Sequence, residues 1–380
     1  MQIVEYNKVN KNDWDALVEK SPDGWLYQTS SYINYECKSG NESHSFAVFS
    51  DNDELIGLCP LYLGDQFSYS KFIFLRYLQA GCKKYLQPWL NICNLWTYNV
   101  LNNGYSGPVI SPSLGSKGRK KIFKLIFEHI DKIAQKNRVE ALEIRLTDIS
   151  LSNLPPLRKG GNPLWSVGIA EHLFFPPRLC VILDLQKEES VLLSEMDKDC
   201  RAEIKQAERN NLKIKRGVTK KDLRLFHRIH VVSWKRTGVR PQPFEHYTQM
   251  WKYLGEEKTI KLFFAEKEKK AVSAVLLHTY KNGVLYWGGC SLPEALSLRA
   301  NNFLLWSAIK WAKSKGYKWF EIGLFDSFQG VSRKEYSVGQ YKAQFSNDYF
   351  VPFEGQKLYT KKAVKQLAAI SKRNTYGCHR

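Results

Sequence analysis

The sequence lacks an apolar run long enough to cross a membrane. Its longest mostly apolar stretch, Ala271–Leu277, has the length of a β-strand, whereas a membrane-spanning helix needs about 18 apolar residues. The N-terminal residues MQIVEYNKVNKNDW also lack the apolar core of a signal peptide. We therefore expect a cytoplasmic protein without a membrane span.

The patterns of disulfide frameworks, metal sites and several enzyme classes are missing too. The eight cysteines include no C-x-x-C pair, which favours reduced thiols. His227 and His230 lie three residues apart on a predicted helix, but no third ligand follows at a useful spacing, so we expect no bound metal. No G-x-S-x-G elbow, Walker loop or dinucleotide fingerprint occurs. Serine-based covalent catalysis and nucleotide hydrolysis therefore lack support.

Positive charge and aromatic side chains are abundant. The 380 residues carry a net charge of +20, with 43% hydrophobic residues, 20 Tyr, 20 Phe and 11 Trp. This composition suffices for packed cores, and the length suffices for two domains. The charge predicts attraction to polyanions, which include nucleic acids, phosphate-bearing small molecules and anionic membranes, without choosing among them.

The two halves of the chain show the same order of predicted elements. Each has a strand, a polar turn, a strand, a helix and a strand containing Glu-Ile, which is VEALEIRL at 139–146 and YKWFEIGL at 317–324. The preceding helices are predicted at 118–137 and 301–315 from their apolar spacing. The sequence thus predicts an α/β (α+β layered) protein built by internal duplication.

The segment richest in proline and glycine marks the predicted boundary between the halves. We predict a first domain at 1–150, a connecting segment at 151–178, a second domain at 179–359 and a basic tail helix at 360–380.

A predicted helix at 191–211 carries a row of cations. Residues spaced three or four apart line one of its faces: Lys198, Arg201, Lys205 and Arg209. Glu203 and Glu208 are expected to offset part of their repulsion. The row is typical either of a solvated face with salt bridges or of a polyanion-binding stripe.

Two further segments have features of substrate contacts. Arg236 and Arg240 lie in a loop stiffened by the prolines that follow, and arginines in such a loop suit bidentate contacts with phosphate or carboxylate. Tyr286 and Trp287 run into a glycine pair that permits close backbone approach. The alternatives are an ordinary surface loop and core aromatics.

The stretch at 319–345 opens as a short strand, Trp319–Gly323, and returns through a glycine-containing loop to Gly339-Gln340-Tyr341-Lys342. An ammonium held between aromatics at the edge of an apolar pocket can stabilise negative charge that develops during acyl or phosphoryl transfer. The alternative is a solvated lysine on an edge strand.

These second-half segments resemble the closing part of FemAB-like transferases, which are doubled acyltransferase folds related to the GNAT N-acyltransferases. The resemblance lies in the helix at 301–315, the strand that ends in Glu-Ile-Gly at 321–323 and Gly-Gln-Tyr-Lys at 339–342. RAEIKQA at 201–207 and WLYQTSSYINYE at 25–36 are similar to other parts of the family.

The sequence also departs from the family at some positions. Tyr341 stands where phenylalanine is usual, and the stretch LRANN at 298–302 lacks the glycines of the pyrophosphate loop of acetyl-CoA-binding enzymes. No helix pair matches the long coiled-coil arm of some members. A conventional CoA site and an arm-mediated tRNA contact are therefore not expected.

The resemblance implies two tandem GNAT-like (acyl-CoA N-acyltransferase) domains, with the active cleft between them or within the second. It implies transfer of an acyl or aminoacyl group from acyl-CoA or aminoacyl-tRNA, neither of them a bound cofactor, to an amine of a small anionic envelope precursor or amino sugar. Transfer RNA is thus a possible partner.

Residue roles follow from the same resemblance. Lys342 would stabilise the oxyanion and Asp326 would accept the proton of the amine. The predicted acceptor contacts begin with Arg240 and continue with Arg236, Thr237 and Tyr247. Other predicted substrate contacts are Tyr286, Trp287, Gln340 and Tyr341.

Two rival functions remain at this stage. One is an ordinary CoA-dependent N-acetyltransferase. The other is a non-catalytic RNA- or polyanion-binding protein that uses the 198–209 stripe and the basic tail. A steep loss of binding with salt, without turnover of any acyl donor, would favour the binding protein.

Overall fold

The computed structural model describes residues 1–67, 97–102, 107–145, 179–238, 240–255, 259–325, 333–350, 354–361 and 363. Within these ranges, no helix combines the length and the apolar character needed to span a membrane.

The first half contains eight strands and three α-helices among its described residues. In chain order they are β1 (Gln2–Glu5), α1 (Lys11–Lys20), α2 (Ser30–Lys38), β2 (Glu42–Ser43), β3 (Phe46–Phe49), β4 (Leu55–Cys59), β5 (Tyr62–Phe67), β6 (Thr97–Asn102), β7 (Val109–Ile110), α3 (Ser116–Lys136) and β8 (Ala141–Arg145).

The second half follows with seven α-helices and the remaining described strands. They are β9 (Leu179–Asp184), α4 (Glu189–Ser194), α5 (Lys198–Arg209), β10 (Lys213–Gly217), α6 (Lys220–Arg236), α7 (Phe244–Met250), β11 (Ile260–Lys267), β12 (Lys270–Tyr280), β13 (Gly283–Ser291), α8 (Glu294–Ser297), α9 (Ala300–Ser314), β14 (Trp319–Phe325), α10 (Arg333–Ala343), β15 (Tyr349–Phe350) and β16 (Glu354–Leu358).

Each half contains a β-sheet in which a helix links two parallel strands; the first half also has a four-stranded sheet in the order β1-β3-β4-β7. In the first half, β6 and β8 are parallel neighbours, and α3 lies between them in the chain. In the second half, β13 and β14 are parallel neighbours, with α9 between them in the chain. The two strands that contain Glu-Ile thus occupy corresponding places. The matching arrangement of strands and helices in the two halves confirms the predicted fold of two tandem GNAT-like α/β domains.

The second half has one continuous sheet of seven strands, in the order β10-β11-β12-β13-β14-β9-β15. One face packs against α4, α5 and α9, where Leu304, Leu305, Ile309 and Phe320 are buried. The other face packs against α6 and α7, and this core also takes in Trp25, Tyr27 and neighbouring aromatics of the first half. The two halves therefore share a core on that face.

The last described strand of the chain returns to the first half. Strand β16 pairs antiparallel with β8, from Glu354 with Arg145 to Leu358 with Ala141. This strand falls in the predicted second domain, yet it completes a five-stranded first-half sheet in the order β16-β8-β6-β5-β2. The division at residues 150 and 178 stays a prediction, and the tail beyond 363 lies outside the described residues.

Two sequence-based expectations for individual elements are wrong. The helix predicted at 191–211 is two helices, α4 and α5, because residues 195–197 leave the helical path. The segment Gly339–Ala343 is the end of a helix, α10, so Lys342 is not on an edge strand.

Lys281 joins the two halves. It lies in the turn between β12 and β13, and its Nζ donates hydrogen bonds to the backbone oxygens of Val18 (2.6 Å), Ser21 (2.7 Å) and Gly24 (3.1 Å). One carbonyl in the last turn of α1 and two that follow the helix thus receive the three protons of one ammonium group. Burial lowers the pKa of Lys281 to about 8, although Glu19 and Asp23 act in the opposite direction.

We expect Lys281→Met to lower the free energy of unfolding by about 3 kcal/mol, because three half-buried carbonyls lose a charged donor. Urea unfolding measures the change. Lys269→Met is the matched control, since Lys269 also has a positive φ in a turn but is exposed. Equal effects of the two substitutions would contradict the role of Lys281.

The burial of Lys281, which lowers its pKa, predicts a pH dependence of stability. The pKa of Lys281 is about 8 in the folded chain and near the ordinary 10.5 in the unfolded chain. Between these values the unfolded chain binds more protons, so the lysine's contribution to stability rises with pH. The unfolding free energy of the wild type should therefore rise with pH relative to that of Lys281→Met across this window, and parallel pH profiles would refute this.

Candidate functional site

A cleft opens where two neighbouring parallel strands part. Strands β13 and β14 pair only from Gly283 with Trp319 to Leu285 with Glu321. Beyond these pairs β13 continues to Ser291 alongside β12, and β14 continues to Phe325 alongside β9, without pairing with each other in the described residues. Ligand sites of open α/β sheets lie at such carboxyl ends of parallel strands.

Both strands carry a β-bulge where they part. On β13, Leu277 pairs with Tyr286 and Leu276 with Gly288, so Trp287 is the extra residue. On β14, Glu321 pairs with Ile182 and Gly323 with Val181, which leaves Ile322 as the extra residue. A bulge bends its strand and redirects side chains, and bulges recur next to active sites. Here the two bulges occur at the same level of the sheet.

Lys342 lies directly over Gly323. A Cβ atom added to Gly323 would lie 3.2 Å from Lys342 Nζ, and this glycine has a φ of +99°, which side-chain-bearing residues rarely adopt. Lys342 belongs to the last turn of α10, where the partial negative charge of the helix C-terminus favours a cation. The ammonium group is therefore held over β14, just beyond the point where β13 and β14 part.

Tyr341 precedes Lys342 in the chain, and Tyr286 lies near enough to Tyr341 to influence its pKa. Burial raises the pKa of Tyr341 well above its usual value, with further contributions from Tyr286, Cys200 and Glu203. Burial likewise raises the pKa of Tyr286. Both phenols are protonated at physiological pH and can act as hydrogen-bond donors. The Tyr286 hydroxyl lies over Gly289, where a side chain would collide with it.

Three of the predicted acceptor residues lie at the end of α6 or shortly after it. Arg236 ends α6, and its Nη2 donates to Ser291 O (3.4 Å) and Ser291 Oγ (3.3 Å), which places it at the carboxyl end of β13. Thr237 is the residue after the helix and donates to Trp234 O (3.0 Å), and Arg240 is exposed in the loop that follows.

Tyr247 was predicted to contact the acceptor, but it is buried in the core. It is 1% exposed in the core under α6, and its hydroxyl forms a hydrogen bond with a ring nitrogen of His230 at 3.2 Å. Gln340, by contrast, is exposed beside Tyr341. Asp326, the predicted proton acceptor, lies outside the described residues.

A cluster of histidines and aromatics around Trp287 was missed by sequence reasoning. The ring of His246 stacks on Trp287 at 6.0 Å, and that of His278 lies 5.7 Å from Trp287. Tyr27 of the first half forms a hydrogen bond with His278 Nδ1 at 3.1 Å. Burial lowers the pKa of His246 and, with help from His246, that of His278 to about 3. The cluster draws on segments as far apart as Tyr27 and His278, so no local pattern could reveal it.

The predicted polyanion stripe is only partly an open row of cations. Lys198, Lys205 and Arg209 are exposed on α5. Arg201 is half-buried and donates to the backbone oxygens of Ser194 and Met196, so it fastens the turn between α4 and α5.

Glu203, which was expected to offset the stripe, instead faces the start of α9. It accepts hydrogen bonds from Arg299 Nη1 and Asn302 Nδ2, both at 2.9 Å. Arg299 has a left-handed backbone and immediately precedes α9. A carboxylate of the protein itself therefore lies at the N-terminus of this helix. Within the described ranges, no group of three or more metal-ligating side chains could hold a metal ion.

Comparison with known proteins gives a consistent fold assignment. Residues 194–342 match the acetyltransferase (GNAT) domain family. Among solved structures, FemX is similar over 97% of this chain and 99% of its own, with 13% identity and a TM-score of 0.66. No curated protein matches.

Two further solved structures have the same fold. A tandem GNAT protein from the clavulanic acid biosynthesis pathway covers 94% of this chain and 98% of its own, with 10% identity and a TM-score of 0.52. L-PGS from Bacillus licheniformis covers 95% and 96%, with 10% identity and a TM-score of 0.52. At these identities the likeness concerns the fold.

The contact between Gly323 and Lys342 yields a stability prediction. Gly323→Ala should lower the free energy of unfolding by about 1–3 kcal/mol, because alanine is strained at a positive φ and its methyl group displaces Lys342 Nζ. Gly288→Ala is the control, since a Cβ there meets nothing within 4 Å and φ is not positive. Urea unfolding of both variants checks this, and equal stabilities would refute it.

Proposed function

We propose that this protein joins an acyl or aminoacyl group to an amine in the cleft between β13 and β14, because residues 194–342 match the acetyltransferase (GNAT) domain family and the chain is similar in fold to FemX. The acceptor is a small anionic precursor or amino sugar of the cell envelope. In keeping with the expectation from the sequence, the proposed site of the reaction is the cytoplasm.

The observation that carries the proposal is the position of Lys342 Nζ over Gly323. The acceptor amine attacks the carbonyl carbon of the donor ester or thioester, and a C–N bond forms while the carbonyl oxygen becomes an oxyanion. The Lys342 ammonium stabilises that charge, which is larger in the transition state than in the substrate. Collapse of the intermediate breaks the bond to the donor oxygen or sulfur.

Two protons must move in this reaction. The attacking amine loses one, for which Asp326 remains the predicted acceptor. The departing alkoxide or thiolate gains one, and the protonated phenols of Tyr286 and Tyr341 are suitable donors because burial raises the pKa of each. The net result is an amide and a free hydroxyl or thiol.

Arginines at the end of α6 are suited to hold the acceptor. Arg236 is anchored through Ser291 at the end of β13, and Arg240 is exposed four residues later. Guanidinium groups recognise phosphate and carboxylate bidentately. The pair thus provides an anion-binding subsite on the β13 side of the cleft, and Lys342 lies on the β14 side.

The start of α9 favours an aminoacyl ester over acyl-CoA as donor. A helix N-terminus after a glycine-rich loop can bind pyrophosphate, but here Glu203 already places a carboxylate there through Arg299 and Asn302. A second anion would be repelled. The CoA-dependent N-acetyltransferase is therefore the second candidate, and it requires Glu203 to move.

We expect Lys342→Ala to lower the single-turnover rate by about a hundredfold or more, as loss of one oxyanion donor does, and to change acceptor affinity much less. Donors and amine acceptors would be screened as a panel, with transfer followed by mass spectrometry. Lys315→Ala, which removes an exposed lysine after α9, should leave the rate unchanged. An active Lys342→Ala protein would remove Lys342 from the chemistry.

The donor assignment is tested by thermal unfolding with and without acetyl-CoA, since a ligand that binds only the folded state raises the midpoint. We expect no shift for the wild type and a shift for Glu203→Ala, in which the carboxylate is gone. A shift of the wild type by several degrees would place the donor in the CoA class. Binding of polyanions with no turnover of any donor would support the non-catalytic alternative.

A further inference from the structure

Helix α6 presents a row of cations on its exposed face. Lys221, Arg224, Arg228 and Lys235 are all exposed, at spacings of three, four and seven residues that keep them on one stripe. We call these four residues the α6 basic row. Over 14 residues of helix the row is about 21 Å long.

The α6 basic row has no acidic partner within the described ranges. None of its four side chains forms an ion pair or a hydrogen bond there. The one acidic residue of α6, Asp222, is buried and turned away. It accepts hydrogen bonds from Val218 N, Thr219 N and Thr219 Oγ1, and it pairs with Lys215.

This row is a stronger candidate for anion binding than the α5 stripe. Helix α6 has six basic residues and one acidic residue, whereas α5 has four basic and three acidic residues. In α5 one of the cations, Arg201, is committed to backbone oxygens. Uncompensated like charges destabilise a helix, so an anionic surface that faces the row would relieve this repulsion.

The surface around the row also exposes apolar side chains. Val232 lies within the row, between Arg228 and Lys235, and is 42% exposed. Val218, just before the helix, is 68% exposed. Cations attract anionic lipid headgroups, and an exposed valine among them adds apolar area that can enter the membrane interface. Single-stranded RNA would instead favour aromatic side chains for base stacking, and the row contains none.

We propose that the α6 basic row docks this protein on an anionic membrane surface. The lysine and arginine side chains meet lipid phosphates, and Val232 enters the interface between headgroups. The row ends at Lys235, next to Arg236, so docking brings the β13 side of the cleft to the lipid surface. The proposal does not depend on acyl transfer, and it is tested without substrates.

The test is co-sedimentation of the full chain with phosphatidylcholine vesicles, with and without phosphatidylglycerol. The wild type should bind the anionic vesicles only, and less at high salt. Lys221→Glu/Arg228→Glu should weaken binding by about tenfold or more, because each cation near an anionic surface contributes to the affinity. Lys198→Glu/Lys205→Glu on α5 changes the net charge by the same amount and should retain binding.

A third variant, Val232→Ser, separates lipid from other polyanions. It should weaken vesicle binding at high salt and leave binding to single-stranded RNA unchanged. Equal losses in the α5 and α6 variants would mean that net charge alone governs binding and would overturn the proposal. So would binding of the wild type to RNA without binding to anionic vesicles. Thermal midpoints equal to that of the wild type confirm that the exposed substitutions leave the fold intact.

Discussion

The parting of β13 and β14 is the constraint on which the candidate site depends. Two parallel strands that stayed paired would satisfy each other's backbone groups and leave no space between them. The pairing of β13 with β14 ends at Leu285 and Glu321. Beyond it, β13 stays hydrogen-bonded to β12, and β14 stays hydrogen-bonded to β9. The bulges at Trp287 and Ile322 take up the change in direction. The cleft is thus a property of the sheet, and it does not rely on a mobile loop.

The two halves support this cleft unequally. The second half contributes both strands and Lys342, while the first half covers the face that carries Trp287. Tyr27 reaches His278, and Lys281 closes over the end of α1. The first half can therefore influence the geometry of the site, because it contacts His278, which packs beside Trp287, and the turn that leads into β13.

Sequence periodicity predicted much of the second half. The strand–turn–strand pattern at 260–280, the helix at 301–315 and the strand that begins at Trp319 agree with β11, β12, α9 and β14 to within a few residues. These elements have strong local signals in apolar spacing and turn residues. The first half was harder, since residues 62–105 are rich in aromatics without a clear period.

The site was predicted less completely, for reasons that lie in tertiary contacts. Lys342 was identified through its sequence context, but its helical environment and its position over Gly323 follow from packing against β14. Tyr247 was predicted as an acceptor contact from the family resemblance, yet its ring fills the core beside His230. Glu203 looked like a partner of its own helix, but it faces Arg299 across the fold. None of these contacts has a local signature.

The return of β16 to the first-half sheet has a consequence for the order in which the protein acquires its structure. A chain emerging from the ribosome presents Ala141–Arg145 more than 200 residues before Glu354–Leu358 is made, yet the two strands are hydrogen-bonded neighbours. Until Glu354–Leu358 has been synthesised, the edge of β8 that pairs with it has unpaired backbone groups, which invite association with other chains. A nascent or truncated chain that lacks Glu354–Leu358 would therefore expose the edge of β8, an aggregation-prone edge that β16 covers once it is present.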